Sequence, residues 1–336
     1  MQPNPTAAWY LRAADELAGT SAVQVRWARA IADDPACIAL IEQLPREHRQ
    51  PSLVFSVAHY LGADASTDLA AWLPERWRAV AALAATRTTQ TNEPNRCAPL
   101  VAALALLPDE PIALIEVGAS AGLCLIPDAY SYDFGGALLG TGSPLLGCTV
   151  TGGSPPPRIP RITWRCGIDL HPLDAGDTDD RRWLRALLPP DRPERVARLD
   201  AALETIDPPT IVAGDALAAL PGVLAAVPAG LRIVVAALGT LVYLPPADRH
   251  ALLELARAYG AHTVTLEPES ALPELAAARA GLVAPEPTPF LLALDGRPLA
   301  CVTPHGDRLS WLSRPDAGDA TPSGAPSRQP DSRSTG

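Results

Sequence analysis

The sequence predicts an α/β protein: a helical N-terminal cap, then a mostly parallel sheet that closes on a C-terminal antiparallel hairpin. Three observations lead there. Up to about Leu107 apolar residues recur at three- and four-residue spacing, the rhythm of amphipathic helices. From Ile112 onward short apolar runs alternate with helical stretches, which implies right-handed crossovers and a sheet covered on both faces. Near the end, two strand-like runs flank Asp295-Gly296-Arg297-Pro298, and a D-G pair between such runs signals a hairpin.

In chain order, helices are expected over Trp9–Leu17, Ala22–Ala32, Ala36–Gln43 and Asp68–Ala85. Asn92-Glu93-Pro94 supplies a capping side chain and an early proline for a helix over Arg96–Leu107, which Pro108 stops. Ile112–Val117, a short apolar run ended by a glycine, reads as a buried parallel strand. Further strands are expected at Ile162–Leu170, Thr210–Ala213, Leu231–Ala236 and His262–Leu266. Helices at Arg181–Leu188, Arg192–Thr205, Ala216–Ala226 and Pro246–Tyr259 would connect them. Phe290–Leu294 and Leu299–Thr303 make the hairpin. The Gly- and Pro-rich stretch over about 130–161 is expected as an insertion lying over the C-terminal edge of the sheet. These boundaries divide the chain into a cap (1–110), an α/β domain (111–312) and a tail (313–336) whose lack of apolar residues predicts disorder.

Composition excludes several classes. A 336-residue chain with 48% hydrophobic residues and a mean hydropathy of +0.09 buries a sizeable core. Its formal charge is −10 and every basic residue is an arginine, with no basic run. No nucleic-acid partner is expected, because neutralising phosphates needs clustered positive charge. The six scattered cysteines form no C-x-x-C pair and lack zinc-ligand spacing, so no metal is expected and buried reduced thiols are. Neither a signal peptide nor an apolar run of membrane length stands out, and the expected location is the cytoplasm.

The segment IEVGASAGL, Ile115–Leu123, carries the chemistry and admits two readings. As G-x-S-x-G it is a nucleophile elbow with Ser120 acylated and His305 as base. However, an elbow follows several strands and an oxyanion loop, and here only helices precede it. As E-x-G-x-S-x-G it is a turn that admits a nucleotide. Gly118 permits the tight turn, Gly122 lets a following short helix and the ligand come close, and amides at that helix start offer donors. Glu116 would face the crevice. Two more strand ends supply carboxylates: Asp169 in GIDLHP, placed to accept hydrogen bonds from ribose hydroxyls, and Asp215 in VAGDA, placed for an adenine amino group.

E-x-G-x-S-x-G, G-I-D-x-x-P and V-x-G-D-A, each ending a strand and followed by the hairpin, together resemble a class I S-adenosylmethionine-dependent methyltransferase over roughly Pro111 to Leu312. The resemblance implies a Rossmann-like methyltransferase sheet, S-adenosylmethionine as cofactor and a small-molecule acceptor. QTNEPNRCA, EVGASAGL, YSYDFGG, GIDLHPLD, RRWLRAL and PHGDRLSW are similar to a bacterial family of unknown function with that fold. Two departures bear on the site. Ser120 stands where the methyltransferase loop has its central glycine. Gly122 and Asp169 are 47 residues apart, against roughly 20 in nucleotide-binding units, so the insertion must absorb the excess. Otherwise Asp133 is the ribose acid and Asp169 a cap or ion-pair residue. Asp215 also reads as a helix cap. His305 and Tyr243 are the catalytic candidates, and each has a plain alternative as a satisfied loop histidine or a packed tyrosine. Gln90, Thr91, Asn92, Glu93 and Arg96 form a polar cluster expected to cover the ligand from the helical side. A non-catalytic descendant that binds another ligand or a partner is the main alternative to methyl transfer.

Overall fold

The computed structural model describes residues 4–90, 92–205 and 207–314. Five helices open the chain: α1 Pro5–Glu16, α2 Ala22–Asp33, α3 Pro35–Ile41, α4 Pro51–Tyr60 and α5 Leu69–Ala84. Proline begins α1, α3 and α4, where its missing N–H costs nothing. Side chains of Asn4, Ser21, Asp34 and Asp68 accept first-turn N–H groups. Tyr10, Trp27, Ile31, Phe55 and Leu73 meet in the core of this bundle, joined by Trp183 from a later helix. Helix α4 has no counterpart in the periodicity. PSLVFSVAHY is apolar on most of its circumference because it runs through the middle of the bundle.

Helix α6 Cys97–Leu104 leaves the bundle and packs on the sheet. After β1 Ile112–Val117 the chain makes β2 Ser131–Asp133, β3 Leu138–Leu139, β4 Leu145–Gly147, β5 Thr149–Thr151 and β6 Ile162–Asp169. Helices α7 Thr178–Ala186 and α8 Pro193–Thr205 lead to β7 Ile211–Ala213, and α9 Ala216–Ala225 leads to β8 Arg232–Leu238. Then come α10 Pro246–Ala258, β9 His262–Pro268, α11 Pro273–Ala278, β10 Phe290–Leu294, β11 Arg297–Val302 and β12 Arg308–Trp311.

The result is an α/β fold built on a nine-stranded mixed sheet in the order β5-β12-β11-β10-β9-β8-β1-β6-β7. Strands β7, β6, β1, β8 and β9 run parallel. One face carries α6 and residues of α7 and α8, the other α9, α10 and α11. Asp295 and Gly296 join β10 to β11 with φ of 53° and 76°, the paired left-handed conformation of a two-residue hairpin turn.

One expectation needs correction and two gain detail. The short helix after the glycine loop is absent: residues 118–126 form turns only. Gly118, Ser120 and Gly122 have φ of 76°, 53° and 80°, and three left-handed residues in five cannot continue a right-handed helix. The hairpin is present, but its first strand, β10, is the one against β9, with Phe290 opposite Pro268. The link between them leaves and re-enters at the same end of the sheet, so the returning strand runs backward. Outside β11 lies β12, a strand not anticipated, and then β5. The insertion, finally, builds structure of its own. Strands β2, β3 and β4 form a small separate sheet, and Tyr130, Tyr132, Phe134 and Leu146 are buried with α6 in the core.

The tail expected from 313 lies outside the described residues from 315 on; Ser313 bridges to Val283. All six cysteines are buried and unpaired. No described helix is long and apolar enough to cross a membrane.

Candidate functional site

Chain direction along the sheet reverses at β1, with β6 and β7 on one side and β8 and β9 on the other. In open α/β sheets the crevice outside the carboxyl ends of the strands, at such a reversal, is the usual ligand site. A cavity of about 330 Å³ opens there, within the range for small-molecule sites. Four adjacent strands border it: Val117-Gly118 after β1, Ile168-Asp169 of β6, Gly214-Asp215 after β7 and Leu238-Gly239-Thr240 from β8. Register explains the convergence. Val117 pairs with Ile168, so Asp169 sits one residue past the end of β1, and Asp169 pairs in turn with Ala213.

Asp169 is aimed at the glycine loop. Its Oδ2 accepts from Ser120 N at 2.8 Å and its Oδ1 from His171 N at 2.8 Å. The loop's own donors are committed inward: Gly118 N and Ala119 N to Ile168 O, Gly122 N to Ala119 O, and Leu123 N to Asn92 Oδ1. Most of the amides expected to serve an anion, those of Gly118, Ala119, Ser120, Gly122 and Leu123, are therefore spent. Gly122 faces away from the cavity, where an added Cβ would meet Pro209 at 2.5 Å. Thr240 packs directly on Gly118. Asp215 lines the cavity and also caps α9, its Oδ1 accepting from Ala218 N at 3.0 Å.

The polar cluster before α6 divides in two. Gln90 and Arg96 line the cavity. Asn92 does not: its Nδ2 donates to Ala119 O at 2.9 Å while its Oδ1 holds Leu123 N, so it clamps the loop from below. Glu93 is also away from the cavity, buried against Arg195 and Arg198. Thr91 lies outside the described residues. Arg96 ties two distant segments, donating to Leu238 O and Pro304 O.

Glu116, expected to face the crevice, is buried on β1 and is not among the residues lining the cavity; its Oε2 has no hydrogen-bond partner among the described residues. Burial, reinforced by the nearby Cys124 thiol and opposed by Arg96, holds its carboxyl well above the usual range. Glu267, at the end of β9, went unread in the sequence. It accepts N–H groups of Thr240, Leu241 and Val242 and so fixes the turn that carries Thr240 and Tyr243 to the cavity. Burial lifts it to about 7 even against those donors. The available signal was a carboxylate ending an apolar strand, the same one that marks Glu116 and Asp169. His171, part of the GIDLHP motif but without a role expected from the sequence, also lines the cavity.

Of the other expected residues, Ser120 and Tyr243 line the cavity, while Asp133 and His305 do not. Asp133 accepts from Gly136 N in the small sheet, so it does not serve as the alternative ribose acid; the insertion absorbs the long spacing and leaves Asp169 at the crevice. His305 stacks its ring nitrogens against Arg195 at 3.4 and 3.5 Å. Burial first, then Arg195 and Arg96, lower it to about 3, which keeps the ring neutral and makes it a weak base at neutral pH. Tyr243 is at the cavity rim, 72% exposed. Ser120 has the positive φ of an elbow serine, but it is 2% exposed and its Oγ donates to Gln90 Oε1 at 2.7 Å. Without a histidine on that hydroxyl the hydrolase arrangement is not assembled. Among the described residues no group of three or more His, Cys, Asp or Glu could hold a metal.

The depressed His305 has a consequence for stability. The unfolded chain takes up a proton near pH 6.5 that the folded chain refuses until about pH 3. This contribution is complete above pH 6.5 and is lost as pH falls toward 3. His305→Gln should flatten the decline of unfolding free energy between pH 6.5 and 4 by up to about 1.4 kcal/mol per pH unit. Equal slopes for the two proteins would contradict the assignment.

No curated protein matches the chain. Among solved structures, that of the mitomycin 7-O-methyltransferase MmcR is similar at 12% identity, over 80% of this chain and 74% of that one, with a TM-score of 0.26; a likeness that distant bears on neither topology nor activity. The family described as uncharacterized protein conserved in bacteria (DUF2332) matches residues 64–311. That span takes in α5, the Gln90 segment and every strand of both sheets, and the chain belongs to this family.

Proposed function

We propose that the crevice holds S-adenosylmethionine and that the protein transfers its methyl group to a small-molecule acceptor. The observation that carries this reading is the meeting of Gly118, Asp169 and Asp215, from three strands, on one cavity whose other walls include apolar Val117, Ile168, Leu238 and Leu244. A carboxylate has about four acceptor sites, and backbone N–H groups use two on Asp169. The remaining two suit a pair of ribose hydroxyls. Asp215 keeps one oxygen for α9 and has the other for an adenine amino group, with apolar walls for the ring. A loop with most of its amides spent makes no phosphate cradle, which favours an adenosyl ligand over a dinucleotide.

When bound, the donor supplies a methyl group already activated by a positive sulfur. The chain's task is to hold both reactants in line and keep water out. Asp169 and Asp215 orient the nucleoside, Glu267 holds the Thr240 turn with Tyr243 at the rim, and His171 faces the acceptor side. A second reading, a non-catalytic ligand binder, is favoured by Thr240 packed on Gly118 and by Ser120 in place of glycine; donor binding without transfer to any acceptor would select it.

Asp169→Ala should weaken S-adenosylmethionine binding by about 1.5–3 kcal/mol, the range for charged hydrogen bonds, measured by calorimetry on protein whose circular dichroism matches wild type. Unchanged affinity would remove Asp169 from the ribose.

A further inference from the structure

Beside the crevice lies a second cavity of about 400 Å³, between the end of α5, the loop after β6 and α7. The two cavities share Thr88, Gln90 and His171. Gln90 stands in this common wall with its amide fully engaged. Its Nε2 donates to His171 O at 2.6 Å and, at a long 3.5 Å, to Asp169 Oδ1, and its Oε1 accepts from Ser120 Oγ. It therefore occupies part of the carboxylate that ribose hydroxyls would use. Its backbone is suited to movement, since residues 87–90 belong to no helix or strand.

The chemistry of the second cavity is specific. Arg87 is spent on Asp179 and Asp180 and lies over the Trp183 ring, so the walls offer no free charge from that group. His48 Nδ1 donates to Ala84 O, which leaves Nε2 as the ring nitrogen without a partner among the described residues. The Thr88 hydroxyl and the His171 ring have no partner among the described residues. Such walls suit an uncharged molecule that carries hydroxyl donors.

Resting on the reading above, we infer that the second cavity is the acceptor chamber, that its occupant is an uncharged hydroxyl-bearing small molecule, and that Gln90 is a partition displaced when a ligand's hydroxyls take Asp169. In the transfer the acceptor oxygen provides the electron pair for the new bond to carbon, and the pair of the broken carbon–sulfur bond stays on sulfur. The hydroxyl proton passes to the His171 ring, the unpaired base on the shared wall.

The test uses two probes on the full chain: S-adenosylhomocysteine, and an analogue whose sulfur is replaced by nitrogen bearing a hydroxypropyl arm. Calorimetry compares wild type, Gln90→Ala and Thr86→Trp, the last filling only the second cavity. The arm should tighten binding to wild type by roughly tenfold, about 1.4 kcal/mol. Thr86→Trp should cancel that gain and leave the parent probe's affinity as it was. Gln90→Ala should bind the parent several-fold more tightly, because a competitor for Asp169 is gone. No gain from the arm, a gain that survives Thr86→Trp, or weaker parent binding by Gln90→Ala overturns the inference while leaving donor binding intact. Failure of the parent to bind any of the three proteins overturns the donor reading and this inference with it.

Discussion

Glu93→Ala is expected to cost about 3–5 kcal/mol of stability, the penalty for breaking a buried ion pair from one side. Glu93 is 2% exposed and its partner Arg195 6%. One carboxylate oxygen accepts from Arg195 at 2.9 Å and the other from Arg198 at 2.9 Å. Removing the carboxylate strands the Arg195 guanidinium beside a neutral His305 and far from water. Arg198, 22% exposed, can turn to solvent. The pair joins the segment before α6 to α8, so its loss also loosens the Asn92 clamp beneath the glycine loop. Glu93→Leu combined with Arg195→Met should cost much less, since apolar replacement of a whole buried pair is often near neutral. Urea unfolding of the three proteins checks this. A single-variant loss below about 1 kcal/mol, the value of an exposed pair, would contradict the burial of the contact.

Gly118→Ala is expected to cost about 2–5 kcal/mol, from two separate causes. A left-handed backbone costs a residue with a Cβ about 1–2 kcal/mol, and Gly118 has φ of 76°. The added Cβ would also lie 2.2 Å from Thr240 Oγ1 and 2.5 Å from its Cγ2, and such overpacking costs about 1–3 kcal/mol. Two comparisons separate these causes. Thr240→Gly in the Gly118→Ala background should recover the steric part alone. Gly135→Ala, at φ of 72° with nothing within 4 Å of the added carbon, should show the backbone part alone. If Gly118→Ala costs no more than Gly135→Ala, Thr240 is not packed on the loop. The crevice should narrow in the single variant as Thr240 is pushed toward it, so ligand affinity and stability are expected to fall together.

The five parallel strands were legible because each is a short apolar run stopped by a glycine or an acid, a pattern that burial on both faces writes directly in β1 and in most of β8 and β9. Asp169 and Asp215 were legible for the same reason: a strand-end position fixes where a side chain stands before any contact is known. What lay beyond reach was set by long-range packing. IEVGASAGL carries the letters of a strand–turn–helix unit, and nothing local shows that its serine too is left-handed. Glu93 and Asn92 read as cavity residues because they neighbour Gln90 and Arg96, whereas their partners, Arg195 and the loop, lie far along the chain. His305 looked like a free base between Pro304 and Gly306 until Arg195 was found against it. The insertion's aromatics Tyr130, Tyr132 and Phe134 alternate with Ser131 and Asp133 as a half-buried strand does, but their partners β3 and β4 are two and three residues long and carry too little pattern to reveal a second sheet. Polar spacing marks a candidate; only the fold decides whether it meets a ligand or an arginine.

The most direct test is a calorimetric titration of the full chain with S-adenosylmethionine up to millimolar concentration. Saturable heat at one site per chain, displaced by S-adenosylhomocysteine, is the expected result. Absence of heat from protein that unfolds cooperatively would contradict donor binding in the crevice.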